Sequence, residues 1–344
     1  MQHALKTSVP LMLVSLLAAA ASVEGGATGF IYWAELNTGD IRRADLNGAN
    51  VTDLITGESF PVGVAVGGGH DKIYWTNATE VRRADLGGTN IETIVMGSGV
   101  PNGIDLHLAG EKVFWVVNHT GIPGDPDLLR SADLDGTGAQ TLHSTNPPAT
   151  AVGCDVAGGR VYFTDRSRSD LRSSALDGSD VQVLATGRNV YMVAADGCGE
   201  RVYWTEPDDG KIVSVALDGS DLQEVLTGLS APTGIDIDPV AGKIYWADQD
   251  DDVIRRADLD GSDVEVVVTT GVDVPRELAV LTPACNGDVN NSGVVDFDDL
   301  NLVLSNWGQS VARCQAGDAT ADGQIDFDDL NVVLSNWGLA CAVL

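Results

Sequence analysis

The chain has 344 residues, 50 acidic against 20 basic, and a formal net charge of −30. A surface of that sign repels nucleic acid and anionic membranes, so functions that need a basic face are excluded.

From the N-terminus, MQHALKT carries Lys6 and leads into the apolar run of residues 9–21, followed by small residues. This is the pattern of a secretory signal, expected over residues 1–22 with cleavage around residues 20–24. The run is shorter than the roughly 20 apolar residues that span a bilayer, and no later stretch is long enough. A soluble, exported protein is expected, secreted or at the cell surface. Cys154, Cys198, Cys285, Cys314 and Cys341 are odd in number and contain no CxxC pair. That argues against a zinc or thioredoxin-like site, leaves at least one thiol unpaired within a monomer, and leaves the pairing open.

Aromatic pairs then recur as Tyr32-Trp33, Tyr74-Trp75, Phe114-Trp115, Tyr162-Phe163, Tyr203-Trp204 and Tyr245-Trp246, at intervals of 42, 40, 48, 41 and 42 residues. Each copy reads as four short strands, clearest in the sixth: PTGIDID, GKIYWADQ, DVIRRADLDGSD and VEVVVTTG. The strands are apolar and β-branched, and Asp-Gly marks the hairpin turns. A four-stranded unit repeating at this period predicts a mainly β protein, a six-bladed β-propeller over residues 23–284. The first copy lacks an inner strand, and PRELAVLTP near the end of the repeats supplies it. Residues 277–282 are therefore expected to complete blade one.

From YW through RRADLDG to the closing TG, residues 29–283 resemble the YWTD propellers, also called low-density lipoprotein receptor class B repeats. Only Tyr162-Phe163-Thr164-Asp165 keeps the last two letters; the other copies read WAE, WTN, WVV, WTE and WAD. The third copy also carries an insertion rich in Pro and Gly. The resemblance implies binding of a protein or other ligand through loops on one face. Trp33, Trp75, Trp115, Trp204 and Trp246 are expected in the blade core.

Beyond the repeats, DVNNSGVVDFDDLNLVLSNWG at 288–308 returns as DATADGQIDFDDLNVVLSNWG at 318–338. Oxygen-bearing side chains fall at positions 1, 3, 5, 9 and 12 of each loop: Asp288, Asn290, Ser292, Asp296 and Asp299, then Asp318, Thr320, Asp322, Asp326 and Asp329. Position 7 adds the carbonyls of Val294 and Gln324, and glycine holds position 6. This spacing predicts two calcium loops of the EF-hand type, 288–299 and 318–329, with Asp296 and Asp326 able to act through water. Residues 285–344 hold nine Asp and one Arg. Neighbouring carboxylates repel by about 4 kcal/mol near 4 Å at an effective dielectric near 20, so two calcium ions are expected to supply the counter-charge and to couple to folding. Val295 and Ile325, at position 8, are expected to pair through a short β contact. Phe297, Leu300, Val303, Leu304 and Trp307, with Phe327, Leu330, Val333, Leu334 and Trp337, recur at helical spacing and predict two helices packed face to face.

With Asp at position 12 and no entering helix, residues 286–338 resemble a type I dockerin. The predicted C-terminal domain, 285–344, is thus small, all-α and dockerin-like, and the resemblance implies a cohesin-like partner. Phe297-Asp298 and Phe327-Asp328 depart from the Ser-Thr common at positions 10 and 11 of cellulosomal members. An enzyme of polysaccharide breakdown is the competing reading. His70, His107, His119 and His143 form no HxH or HExxH, no GxSxG elbow occurs, and His107 on an inner strand is the best single candidate for chemistry. The acidic runs at 206–209 and 247–252 can bind metal or sugar or lie solvated. The function expected is a non-catalytic, calcium-tethered binding protein, with a hydrolase or lyase propeller and a purely structural cell-surface protein as the alternatives.

Overall fold

The computed structural model describes residues 29–67, 71–97, 99–118, 127–145, 152–155, 159–165, 169–196, 201–239, 241–282, 295, 297–309 and 325–335. Among them lie six four-stranded antiparallel sheets, two short α-helices and two single 3-10 turns. The inner strands of blades one to six are Pro275–Leu281, Val64–Gly67, Val100–His107, Val152–Asp155, Val193–Asp196 and Pro232–Asp238. Each neighbours the next around a closed ring. Blade one takes its inner strand from the far end of the repeats, pairing Phe30 with Leu281 and Trp33 with Leu278. That strand begins at Pro275, two residues before its expected start.

Successive residues of a strand point to opposite faces of its sheet, which explains the aromatic pairs. Trp33 packs in one cluster with Tyr245 of blade six, Trp75 with Tyr32 of blade one, and Trp246 with Tyr203 of blade five. Phe114 and Phe163 meet across the third junction, and Trp115 and Trp204 face the tyrosines of the blades before them. All five tryptophans are at most 1 % exposed, as core residues should be.

Polar contacts repeat with the same period. The hydroxyls of Thr76 and Thr205, one residue after the tryptophan, each donate at 2.6 Å to a carbonyl of the next blade's inner strand, Asn102 O and Thr233 O. Arg83 donates to Leu134 O and Arg256 to Leu46 O, the latter across the closing junction. At that junction the turn glycine Gly48 has φ of +81°, and a Cβ there would stand 1.8 Å from Val267 O of blade six.

In five blades the variable fourth letter of the motif has one role; in blade three it is the buried, apolar Val117. Glu35, Asp165, Glu206 and Asp248 are buried and face an arginine: Arg42 at 3.3 Å, Arg172 at 3.8 Å, Arg188 at 2.8 Å and Arg255 at 3.3 Å. In blade two, where the letter is Asn77, Glu58 brings the carboxylate to Arg82 at 2.5 Å and accepts from Asn77 at 2.9 Å. The longer acids also reach the tryptophan: Trp33 Nε1 donates to Glu35 at 2.8 Å and Trp204 Nε1 to Glu206 at 2.9 Å. Asp248 is one methylene shorter, and Trp246 Nε1 is buried without a partner.

The C-terminal helices are α1, Phe297–Ser305, and α2, Phe327–Ser335. Val295, Val303, Ile325 and Val333 form their core, with Leu300, Leu302 and Leu330 against it. Two expectations are corrected here. Ile325 exchanges backbone hydrogen bonds with Gly308 and Gln309, at 2.8 and 3.0 Å, rather than with Val295. Phe297, Leu304, Phe327 and Leu334 are 51–66 % exposed, because the valines and leucines on the other side of each nine-residue helix already fill the contact. Trp307 packs edge-on against Phe327 at 6.0 Å while 43 % exposed. Trp337 lies outside the described residues.

Two outcomes are expected. Glu206→Asp should lower, and Asp248→Glu raise, unfolding free energy by about 1 kcal/mol through the tryptophan hydrogen bond, read from urea midpoints. Gly48→Ala should cost more than Gly57→Ala, because both glycines have positive φ but only Gly48 abuts a carbonyl.

Candidate functional site

One recess opens on the face where the inner strands begin. It is a cleft of about 430 Å³ between blades five, six and one, lined by Asn189, Tyr191, Asp208, Gln249, Asp250 and Arg276. Its floor is rigid. Arg188 forms a two-pronged pair with Glu206, at 2.8 and 2.9 Å, which fixes the segment carrying Asn189 and Tyr191. Tyr191 N donates to Thr205 O at 2.9 Å, and Asn189 donates to Asp208 at 2.8 Å.

Arg276, 85 positions further on, donates to the Tyr191 hydroxyl at 3.0 Å. Ring closure alone makes this contact possible. Arg276 forms no ion pair among the described residues, unlike Arg42, Arg82, Arg172, Arg188 and Arg255. The cleft thus offers a guanidinium, a phenol, two amides and two carboxylates in a volume typical of ligand sites.

Residues 242–280 match the low-density lipoprotein receptor repeat class B. This class B repeat covers most of blade six and runs into the strand that closes blade one. The propeller shares its fold with a chain of a nidogen/laminin complex, at 19 % identity and a TM-score of 0.66, over 75 % of this chain and all of that one. It also shares it with TolB from Acinetobacter baumannii, at 13 % identity and a TM-score of 0.60, over 75 % of this chain and 67 % of that one. No curated protein matches the chain. At these identities the structural likenesses establish the fold: a six-bladed β-propeller containing a class B repeat.

The expected calcium ligands fall into two groups. Asp288, Asn290, Ser292, Val294, Asp296, Asp318, Thr320, Asp322 and Gln324 lie outside the described residues. Asp299 and Asp329 sit in the first turns of α1 and α2 with no exposed surface, whereas Asp326 is exposed. Asp329 Oδ2 accepts from Asp326 N at 2.8 Å and Asp326 Oδ1 from Asp328 N at 2.9 Å, a reciprocal cap at the start of α2. Asp299 and Asp329 each hold the last position of their own loop, and among the described residues no three acidic, His or Cys side chains come together to hold a metal ion.

His107 ends an inner strand at the opposite end of the disc. It is 8 % exposed, its ring lies under Gly110, and its Nδ1 has no partner. That position separates it from the cleft. His143 packs on Phe163 with ring centres 5.5 Å apart, while His70 and His119 are outside the described residues. Cys154 lies on the inner strand of blade four; the other four cysteines are not described. The described helices include none long and apolar enough to cross a membrane.

The acidic runs pointed to this face, since Asp208 and Asp250 line the cleft. Within those runs Glu206 and Asp248 are structural, and Asp251 pairs with Arg255 at 2.6 Å. Tyr191 and Arg276 carried no sequence signal, because neither belongs to the repeating letters.

Proposed function

We propose that this is an exported, non-catalytic binding protein. The propeller docks a protein or glycan at the cleft of Tyr191 and Arg276, and the C-terminal segment tethers the chain, with two calcium ions, to a cohesin-like partner. The observation that carries the docking reading is the Arg276–Tyr191 contact at 3.0 Å, which sets an arginine without a carboxylate partner in a cleft built by three blades. The nidogen propeller seen with laminin supports a role in protein recognition. Class B propellers typically bind rather than catalyse.

For the tether, the buried pair Asp299 and Asp329 supports calcium at both loops. When bound, calcium would supply the positive charge that nine aspartates and one arginine lack. Phe297 and Phe327 hold loop position 10 and are 66 and 63 % exposed. Two equivalent apolar residues facing outward suit a partner's apolar surface.

Calcium should raise the melting temperature of the full chain, and Asp299→Ala or Asp329→Ala should reduce that rise; equal melting in calcium and in chelator counts against the loops. Immobilised protein should capture a cohesin-like protein, identified by mass spectrometry, from secreted proteins of the native source in calcium but not in chelator. Phe297→Ala with Phe327→Ala should remove that capture, whereas Arg276→Ala should affect only ligands of the propeller. Capture that survives chelator would overturn the tether.

A further inference from the structure

The inner strands enclose a second, narrower space along the propeller axis, about 80 Å³ and lined by Val64, Ala65, Ile104, Asp105, Asp236 and Glu277 among others. Three of its walls are acidic, from blades three, six and one. Among the described residues no lysine or arginine lines it.

Glu277 is the decisive residue. It is 7 % exposed, yet its Oε2 has no hydrogen-bond partner. Glu277 lines the channel beside Val64 and Ile104, with Asp105 and Asp236 on the inner strands of blades three and six. Gly63 leaves room for the Glu277 carboxylate, since a Cβ there would lie 2.9 Å from Oε2. Asp236 Oδ1 accepts from Ile237 N and Oδ2 from Val280 N, both at 2.7 Å, and Asp105 Oδ1 accepts from Leu106 N at 2.7 Å. Both aspartates keep partial exposure, toward the channel they line.

Burying like charges together without a counter-charge is unfavourable. Burial, with Asp105 and Asp236 nearby, pushes the Glu277 carboxyl well up, and burial pushes Asp236 up to about 7, with Asp238 adding to the rise. A bound cation removes that penalty. Oxygen donors without His or Cys select hard divalent ions over zinc. Among the described residues no three such side chains converge closely enough to chelate a bare ion, so the ion keeps part of its water, as calcium and magnesium both tolerate.

We propose that the propeller channel binds one hydrated divalent cation, calcium or magnesium, through Glu277, Asp236 and Asp105. This site is separate from the C-terminal loops and does not depend on the tether.

The test is equilibrium dialysis of the full chain against calcium chloride or magnesium chloride, with bound metal counted by atomic emission. The Asp299→Ala/Asp329→Ala chain should retain one ion that disappears when Glu277→Gln is added. Asp236→Asn and Asp105→Asn, on two other strands, should each lose it too, with folding followed by circular dichroism. The two dialysis arms distinguish calcium from magnesium. In chelator, Glu277→Gln should melt no lower than the parent, because an uncompensated carboxylate is removed, while its metal-induced rise in melting temperature should shrink. A loop-disabled chain that binds no metal, or a Glu277→Gln chain with the parent's full count, would overturn the channel site while leaving the loops to be judged by their own substitutions.

Discussion

Each sheet of this ring has two neighbours, and consecutive side chains of a strand face opposite ways. Two adjacent bulky residues on the second strand therefore serve both junctions. The tryptophan faces the blade before and the tyrosine the blade after, so Tyr245 of blade six meets Trp33 of blade one just as Tyr32 meets Trp75. The rest of the propeller follows from that requirement. Once the aromatic layer is continuous, the inner strands are held side by side around an axis, and their near ends and connecting loops form one face. The borrowed inner strand Pro275–Leu281 removes the last free edge.

The sequence made much of this legible because the constraint is periodic. Aromatic spacing fixed the blade count, and the missing strand ahead of Tyr32 located the seam. The fourth motif letter was harder to read. Written as Glu, Asn, Val, Asp, Glu and Asp across the six blades, it looks like decay of a pattern. In five of the six blades the structure shows one task, a carboxylate facing an arginine, met by different routes. Glu58 enters from a neighbouring loop in blade two, and Arg188 replaces a third-strand arginine in blade five. A letter-by-letter reading misses this, because the retained quantity is charge at a point in space.

The same distinction separates what could be read of the sites from what could not. The expected loop aspartates were singled out by spacing along a short segment, most of which lies outside the described residues. Tyr191 and Arg276, or Asp105, Asp236 and Glu277, come from different blades and meet only after closure. In the sequence Asp236 is one letter of an alternating strand, and Glu277 looks like an ordinary polar substitution at a position where blades two, three and six have glycine. Helical periodicity was also an incomplete guide. It marked Phe297 and Leu304 as core, but among the described residues α1 packs on α2 through a single stripe, which Val303 with Leu300 fills.

Electrostatics connects these observations. With 50 acids against 20 bases, cations are scarce, and most described arginines are committed to holding blades. Arg42, Arg82, Arg172, Arg188 and Arg255 face buried acids, while Arg83 and Arg256 reach carbonyls of the next blade. Lys72, Lys112 and Lys243 pair with Asp85, Asp133 and Asp258 across adjacent strands. Positive charge is thus concentrated where the sheets join, and the surplus of negative charge falls on the loops, the channel and the C-terminal segment. Against that distribution Arg276 stands out by position rather than by type: it is held by a phenol instead of a carboxylate, and it lies in the cleft that three blades share. For the docking proposed above, a guanidinium free of a carboxylate partner within an acidic surround would let charge complementarity select one orientation before any close packing forms.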